Sequence, residues 1–352
     1  MTQTTLPSDH LAEPLAGAGP AGRACCGPSC CATEAPAPAA SGRPPGGADP
    51  GQPPAPSEPE RQANLGNLRR PPAPGVEPER LVEAVRERYG AIAEGRVSAC
   101  CGSGADMGAA VLGYSAADLA TLPEGANLGL GCGAPLQFLD LQPGETVLDL
   151  GSGAGVDALL AARQVGPQGR VLGVDMTAAM LERARENTAA AGVANVEFRA
   201  GRLEALPVAD AAVDAVTSNC VINLVPDKGA VFAEIARVLR PGGRLVISDI
   251  LLDAPLPAAL EQDLLAYVGC VAGAQQRAAY FGLVRAAGLA EPEILRDVDY
   301  LAALGDAIPA EAQALAERAG VRPQDLAGVV RSVTFRARRT EGAAASAAAP
   351  AA

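Results

Sequence analysis

From residue 146 onward the chain alternates two hydrophobic periods. Short apolar runs of strand length at 147–150, 171–174, 196–199, 213–218 and 244–249 stand between longer stretches at 156–165, 177–191 and 227–239. In those longer stretches the apolar positions recur with helical spacing. Strands alternating with helices of this length predict parallel βαβ units in a doubly wound α/β sheet. After Asp249 the regularity stops. The pattern there predicts helices at 258–268 and 276–288 and strand-like stretches near 292–298 and 329–338, a smaller cap of α+β character. Upstream, Leu81 to Tyr89 has a helical period entered through Glu77-Pro78-Glu79, and Ser115 is placed to cap a short helix. Residues 1–75, with their Pro-Pro, Gly-Gly and Ala-Pro runs, have no period that could bury a core and are expected to be disordered, as are 341–352. Between these tails lie a helical and loop segment at 76–135, a sheet domain at 136–250 and the cap at 251–340.

Composition removes several function classes. A net charge of -12 lacks the basic face that duplex nucleic acid requires. No apolar run reaches the length of a membrane span, and no basic-then-apolar opening marks a secretory signal. Nine cysteines without an export signal point to a reducing, cytoplasmic setting, where thiols act as ligands or catalysts rather than staples. The single histidine, His10, lies in the N-terminal tail, so the folded part has no imidazole base. That absence matters because O- and N-methyl transfers commonly use a histidine or an acid as base.

The first strand ends in Asp149 and runs into Gly151-Ser152-Gly153-Ala154-Gly155, with a helix directly behind. Alternate glycines let a backbone turn sharply and approach a ligand, and the helix presents its positive end there. The dinucleotide pattern Gly-x-Gly-x-x-Gly is not met, since Val156 stands where its third glycine belongs. Asp-Leu-Gly-x-Gly-x-Gly instead resembles the opening of class I S-adenosylmethionine-dependent methyltransferases, which implies a Rossmann-like sheet. The second strand ends in Asp175, placed to accept from both ribose hydroxyls of an adenosine.

The chemistry left to the folded part is thiol chemistry, at Cys100, Cys101, Cys132, Cys220 and Cys270. Cys-x₂-Cys pairs of structural zinc are absent from it. Trivalent arsenic suits such a set: three thiolates hold it as a trigonal pyramid, and its lone pair is a nucleophile without a proton to remove. Residues from about Tyr89 to Arg338 resemble the arsenite S-adenosylmethionine methyltransferases. The shared signatures are Tyr89-Gly90, Asn127 to Gly133, Val147 to Gly155, Gly173 to Thr177, Ser218 to Lys228 and Gly269-Cys270. The resemblance implies that Cys220 and Cys270 bind arsenic, joined by an N-terminal thiol such as Cys101. It also implies that Cys132 pairs with Cys100 or Cys101. Asp149, Gly151, Ser152, Gly153, Asp175, Met176 and Asn219 then contact the cofactor, with Leu203 and Glu204 against the adenine. A thioredoxin- or glutathione-linked reductant is expected to reset the thiols, and the protein is expected to act as a monomer. Two rivals stand beside this reading. One is a methyltransferase for a small carbon, oxygen or nitrogen acceptor such as a quinone; the other is a thiol-rich protein that sequesters metalloid. The tail cluster Cys25, Cys26, Cys30 and Cys31 lies outside the matched region. It either captures metalloid or has no role.

Overall fold

The computed structural model describes residues 77–97, 113–304, 308 and 310–340. The two expected disordered tails, along with Cys100 and Cys101, lie outside those residues.

Seven strands make one sheet in the order β3-β2-β1-β4-β5-β7-β6. They are β1 Thr146–Leu150, β2 Arg170–Asp175, β3 Val196–Ala200, β4 Val213–Asn219, β5 Leu239–Leu252, β6 Glu293–Asp299 and β7 Val330–Arg338. The first five pair in parallel, while β7 runs antiparallel between β5 and β6. The inner strands read as apolar runs because helices cover both faces. Helices α1 Pro78–Ala93, α2 Val156–Val165, α3 Ala178–Ala190, α4 Lys228–Val238, α5 Leu264–Val268 and α6 Arg277–Ala286 carry the burial outside the sheet. On one face α4 and α6 pack Phe232, Ile235, Tyr280 and Val284 over the sheet. On the other, α2 and α3 supply Ala158, Leu160, Leu181 and Ala184.

Two features depart from the sequence-based picture, each for a physical reason. The strand-like stretches assigned to the cap join the main sheet as β6 and β7, with Leu252 opposite Val330 and Arg244 opposite Arg338. Pairing between segments this far apart in sequence leaves no local period to read. The helix expected over 258–268 is two short ones, Ala258–Glu261 and α5, because Asp263 caps a new start by accepting from the N–H of Leu265 and of Ala266. What lies over the sheet edge is therefore a third apolar cluster. It joins Leu81 and Val85 of α1 to Leu256, Leu260, Tyr267 and Val268, and it contains Cys132, Cys220 and Cys270.

Strand order reverses between β1 and β4: the chain moves outward through β2 and β3, then returns to β4 on the other side of β1. A cleft opens above the carboxyl ends of strands at such a switch point. Asp149 and the glycine turn stand at the end of β1, and Asn219 and Cys220 at the end of β4.

Candidate active site

The turn after β1 is built on left-handed backbone, with φ of 63° at Gly151, 50° at Gly153 and 90° at Gly155. Only glycine adopts such values without strain. A Cβ on Gly151 would stand 2.4 Å from the Val221 side chain, whereas one on Gly153 would meet nothing nearer than 4.0 Å and would project into open space. The N–H groups of Gly151 and Ser152 donate to the Val174 carbonyl at 2.8 and 3.1 Å, which ties the turn to β2. Asp175 closes the cradle by accepting from the N–H of Gly153 at 3.0 Å and of Thr177 at 2.8 Å.

Two connected chambers flank this turn. One, an open cleft of about 750 Å³ with its solvent-facing space included, runs from Asp175, Met176, Leu203 and Glu204 to Cys220, and is lined by Val82, Val85 and Tyr89 of α1. The other, about 620 Å³, is lined by Tyr114, Asn127, Asp149, Ser152 and Asp157. Leu130, Gly151, Gly153 and Asn219 face both.

The second chamber is electrostatically incomplete. Asp149 and Asp157 are buried, and Oδ2 of Asp149 and Oγ of Ser152 have no hydrogen-bond partner. Burial first, then the neighbouring carboxylates of Asp157 and Asp175, push Asp149 well above the usual carboxylate range. Burial likewise raises Asp157 to about 6, against hydrogen bonds from Tyr114 and Asn219 that oppose the rise. Three carboxylates crowded around one turn, with an orphaned acceptor among them, suit a cationic ligand. An adenosyl sulfonium that also carries an ammonium group matches both the charge and the two-chamber shape.

The thiols converge on the far side of the same cleft. Cys220 follows β4, Cys270 follows α5, and Cys132 sits in the Gly131-Cys132-Gly133 loop. All three are buried, and no disulfide joins them. Asn219 braces the loop: its Oδ1 accepts from the N–H of Cys132 at 3.0 Å and of Gly133 at 3.2 Å, while its Nδ2 donates to the Gly133 carbonyl at 2.7 Å. The same Nδ2 donates to the Tyr114 hydroxyl at 2.8 Å, so this amide links the cofactor chamber to the cysteine loop. Glycines flank Cys132 because a Cβ on Gly133 would lie 2.5 Å from Ser248 Oγ, and one on Gly131 2.8 Å from Asn219.

The Cys220 thiol hydrogen-bonds with those of Cys132 and Cys270, and the Cys270 thiol lies 3.1 Å from the Cys220 carbonyl. The neighbouring Cys132 thiol and burial push Cys220 well above the usual thiol range; Cys220 and burial do the same for Cys270. Four non-glycine residues among those described have positive φ, and two of them are Cys220 at 59° and Cys270 at 65°. Backbone held there by a side chain that resists it costs about 1–2 kcal/mol per residue and marks sites where the side chain is needed.

Of the sequence-predicted residues, the structure gathers Cys132, Cys220 and Cys270 in one buried apolar cluster, with Cys220 reaching the first chamber. It lines the two chambers with Asp149, Gly151, Ser152, Gly153, Asp175, Met176, Leu203, Glu204 and Asn219. Sequence reading missed three side chains. Asp249 is buried, with a carboxylate oxygen, Sγ of Cys132 and Sγ of Cys220 all within 4.8 Å of one another. Its strand was found, but an acid inside an apolar run gives no sign of which thiols it faces. Asp157 sits in the first turn of α2, where an acid reads as ordinary helix charge. Tyr114, which donates to Asp157 at 2.7 Å, carries no local signal.

A methyltransferase-domain family model matches residues 141–300. An arsenite methyltransferase from Halobacterium salinarum is 50% identical over 212 residues, 56% of this chain and 54% of that protein. One from Aquipseudomonas alcaligenes is 38% identical over 226 residues, 61% of this chain and 64% of that protein. A crystal structure of an arsenic (III) S-adenosylmethionine methyltransferase from Chlamydomonas reinhardtii covers 67% of this chain and 73% of its own at 31% identity, with a TM-score of 0.48. The chain thus spans a little over half the length of the first curated relative and just under two thirds of the second. By these matches the chain has the class I methyltransferase fold and is similar, over its methyltransferase domain, to arsenite methyltransferases.

Proposed function

We propose that this protein transfers the methyl group of S-adenosylmethionine to trivalent arsenic, first arsenite and then methylarsenite, held on the thiolates of Cys132, Cys220 and Cys270. The observation that carries this reading is the convergence of three buried thiols from three separate segments beside a chamber shaped and charged for a cationic cofactor.

The residues divide the work. Asp175 and the Gly151–Gly155 turn hold the ribose, Leu203 and Glu204 border the adenine, and Asp149 with Ser152 receives the ammonium end. When bound, the cofactor supplies an electrophilic methyl group on a sulfonium. The chain's own task is alignment, because the arsenic lone pair needs no base and the described site offers no imidazole. The thiols of Cys220 and Cys270 start protonated: the hydrogen bond with Cys132 and burial raise Cys220, and the hydrogen bond with Cys220 and burial raise Cys270. Each passes its proton to a leaving hydroxide or thiol of the incoming arsenic compound as the S–As bond forms. Methyl transfer leaves arsenic formally pentavalent. The thiol of Cys100 or Cys101 then attacks the Cys132 sulfur on arsenic and releases its one proton. The disulfide forms, and the Cys132 S–As bond breaks with its electron pair left on arsenic, which returns to the trivalent state. A thioredoxin- or glutathione-class dithiol reopens the disulfide. In this reading the protein acts as a monomer in the cytoplasm, with 136–250 holding the cofactor and 251–340 closing over the arsenic. Among the described residues no helix is long and apolar enough to cross a membrane.

The test is incubation with arsenite, S-adenosylmethionine and a dithiol reductant, followed by chromatographic speciation of arsenic. Methylated arsenicals are expected. Their absence, together with methyl transfer to a quinone or another small acceptor, would favour the rival reading and overturn this one.

A further inference from the structure

Asp249 has no part in the proposed arsenic site, yet its carboxylate stands beside two of the clustered thiols. One of its carboxylate oxygens, Sγ of Cys132 and Sγ of Cys220 all lie within 4.8 Å of one another, and the three side chains are buried. Tetrahedral coordination at Zn–S and Zn–O bond lengths separates neighbouring donors by about 3.5–3.8 Å, so a small closure brings these three to coordinating distance. The thiol of Cys270, hydrogen-bonded to that of Cys220, is next in line as a fourth donor.

The carboxylate is also held the way a ligating carboxylate is held. Its Oδ1 accepts from Asn223 Nδ2 at 2.8 Å and from the Ile250 N–H at 3.0 Å, and its Oδ2 accepts from the Tyr280 hydroxyl at 2.9 Å. Such outer partners fix a ligand's direction and leave lone pairs for an ion. The buried ammonium of Lys228 acts electrostatically on Asp249 and offsets surplus negative charge there. Arsenic bound by three thiolates is neutral and turns a lone pair to its open side, where a carboxylate is of no use to it. A divalent cation is different: three thiolates and a carboxylate leave two net negative charges, one of them offset by the Lys228 ammonium, and the oxygen completes its shell.

We propose that Cys132, Cys220 and Asp249, with Cys270 as fourth donor, form a tetrahedral site for a thiophilic divalent cation of the Zn²⁺ and Cd²⁺ class. On binding, the thiols lose their protons to the buffer as metal–sulfur bonds form; no electron is transferred. The proposal shares cysteines with the arsenic reading but stands without it, because its test contains neither arsenite nor cofactor.

The experiment uses the full chain with Cys25, Cys26, Cys30, Cys31, Cys100 and Cys101 changed to Ser, so that only the pocket thiols remain. Cd²⁺ alone is titrated, following the ultraviolet thiolate-to-cadmium charge-transfer band, and the bound ion is examined by ¹¹³Cd NMR. One equivalent is expected, with a resonance of mixed sulfur and oxygen coordination. Asp249→Asn should weaken binding by at least about tenfold, and Asp249→Cys, which replaces the oxygen donor by sulfur, should keep it. No tight cadmium in the parent, an all-sulfur resonance, or equal affinity in a folded Asp249→Asn protein would each overturn the proposal. The parent's resonance decides the matter even if both Asp249 variants fail to fold.

Discussion

The turn after β1 and the pocket over β4 use the same left-handed backbone for opposite purposes. At Gly151, Gly153 and Gly155 the positive φ comes without a side chain, and at Gly153 the space left empty is where a ligand can approach. At Cys220 and Cys270 the same conformation is forced on residues that resist it, and in the proposed function the side chain there is the ligand of the substrate. The first region is relaxed and electrostatically unfinished. The second is strained and already close to its working geometry, with three thiols in contact before any ligand arrives. One region is left short of positive charge; the other carries its strain at two of its three cysteines.

The largest expected effect tests whether the cysteines are needed as sulfur. Cys220→Ser and Cys270→Ser should each abolish methylation of arsenite and of methylarsenite, because a hydroxyl is a hard, protonated ligand. Cys132→Ser should lose arsenite methylation yet keep measurable activity on methylarsenite, which already carries one carbon and needs two thiolates. Equal failure of all three on both substrates would contradict this division.

The glycines should divide along their surroundings. Gly151→Ala places a methyl 2.4 Å from Val221 at a φ of 63°, and should destabilise the fold by about 2–4 kcal/mol in denaturant melts. Gly153→Ala projects into the chamber and should cost only about 1 kcal/mol of stability while blocking S-adenosylmethionine in calorimetry. Asp175→Ala should weaken cofactor binding by about tenfold, through loss of the ribose acceptor and of the anchor for the Gly153 and Thr177 N–H groups. If Gly153→Ala binds cofactor normally, the cradle has been misassigned.

The carboxylates around the turn predict a pH dependence of the free protein. Asp157 rises from its ordinary 3.8 to about 6 on folding, mainly through burial. Its stabilising contribution is therefore complete in acid and is lost as pH climbs from about 4 through 6. Thermal melts should show Asp157→Asn gaining about 3 kcal/mol relative to the parent across that window, and nothing further above it. A parent that gains on the variant as pH rises would reverse the assigned sign.

The smallest effect reads the stored strain directly. At Cys270, where φ is 65°, Gly should be more stable than Ala by about 1 kcal/mol although it buries less. Both variants are inactive in the proposed scheme, so the comparison isolates backbone from chemistry. Ala equal to or better than Gly would remove the strain argument.

The contrast between the regions also explains what could be read from the chain. The β1 turn announced itself because its demands are local: an apolar strand, an acid, three spaced glycines and a helix lie in one run from Val147 to Val165. Asp175 was equally legible, since it ends the next strand of the same unit. The individual cysteines could be suspected because no imidazole competes with them, and their family pattern is carried by short motifs.

Their assembly could not be read. Cys132, Cys220 and Cys270 meet only because a sheet register sets β5 against β7 and because Asn219 reaches across to brace a distant loop. Asp249 looked like one acid in an apolar strand until the fold turned it toward two thiols and gave it Tyr280 and Asn223 as partners. By itself the sequence determined the alternating α/β order and the glycine cradle, since each follows from residues close along the chain. Tertiary structure decided which thiols share a pocket, which carboxylate stands with them and that β6 and β7 complete the sheet, because those contacts join segments with no local period or motif in common.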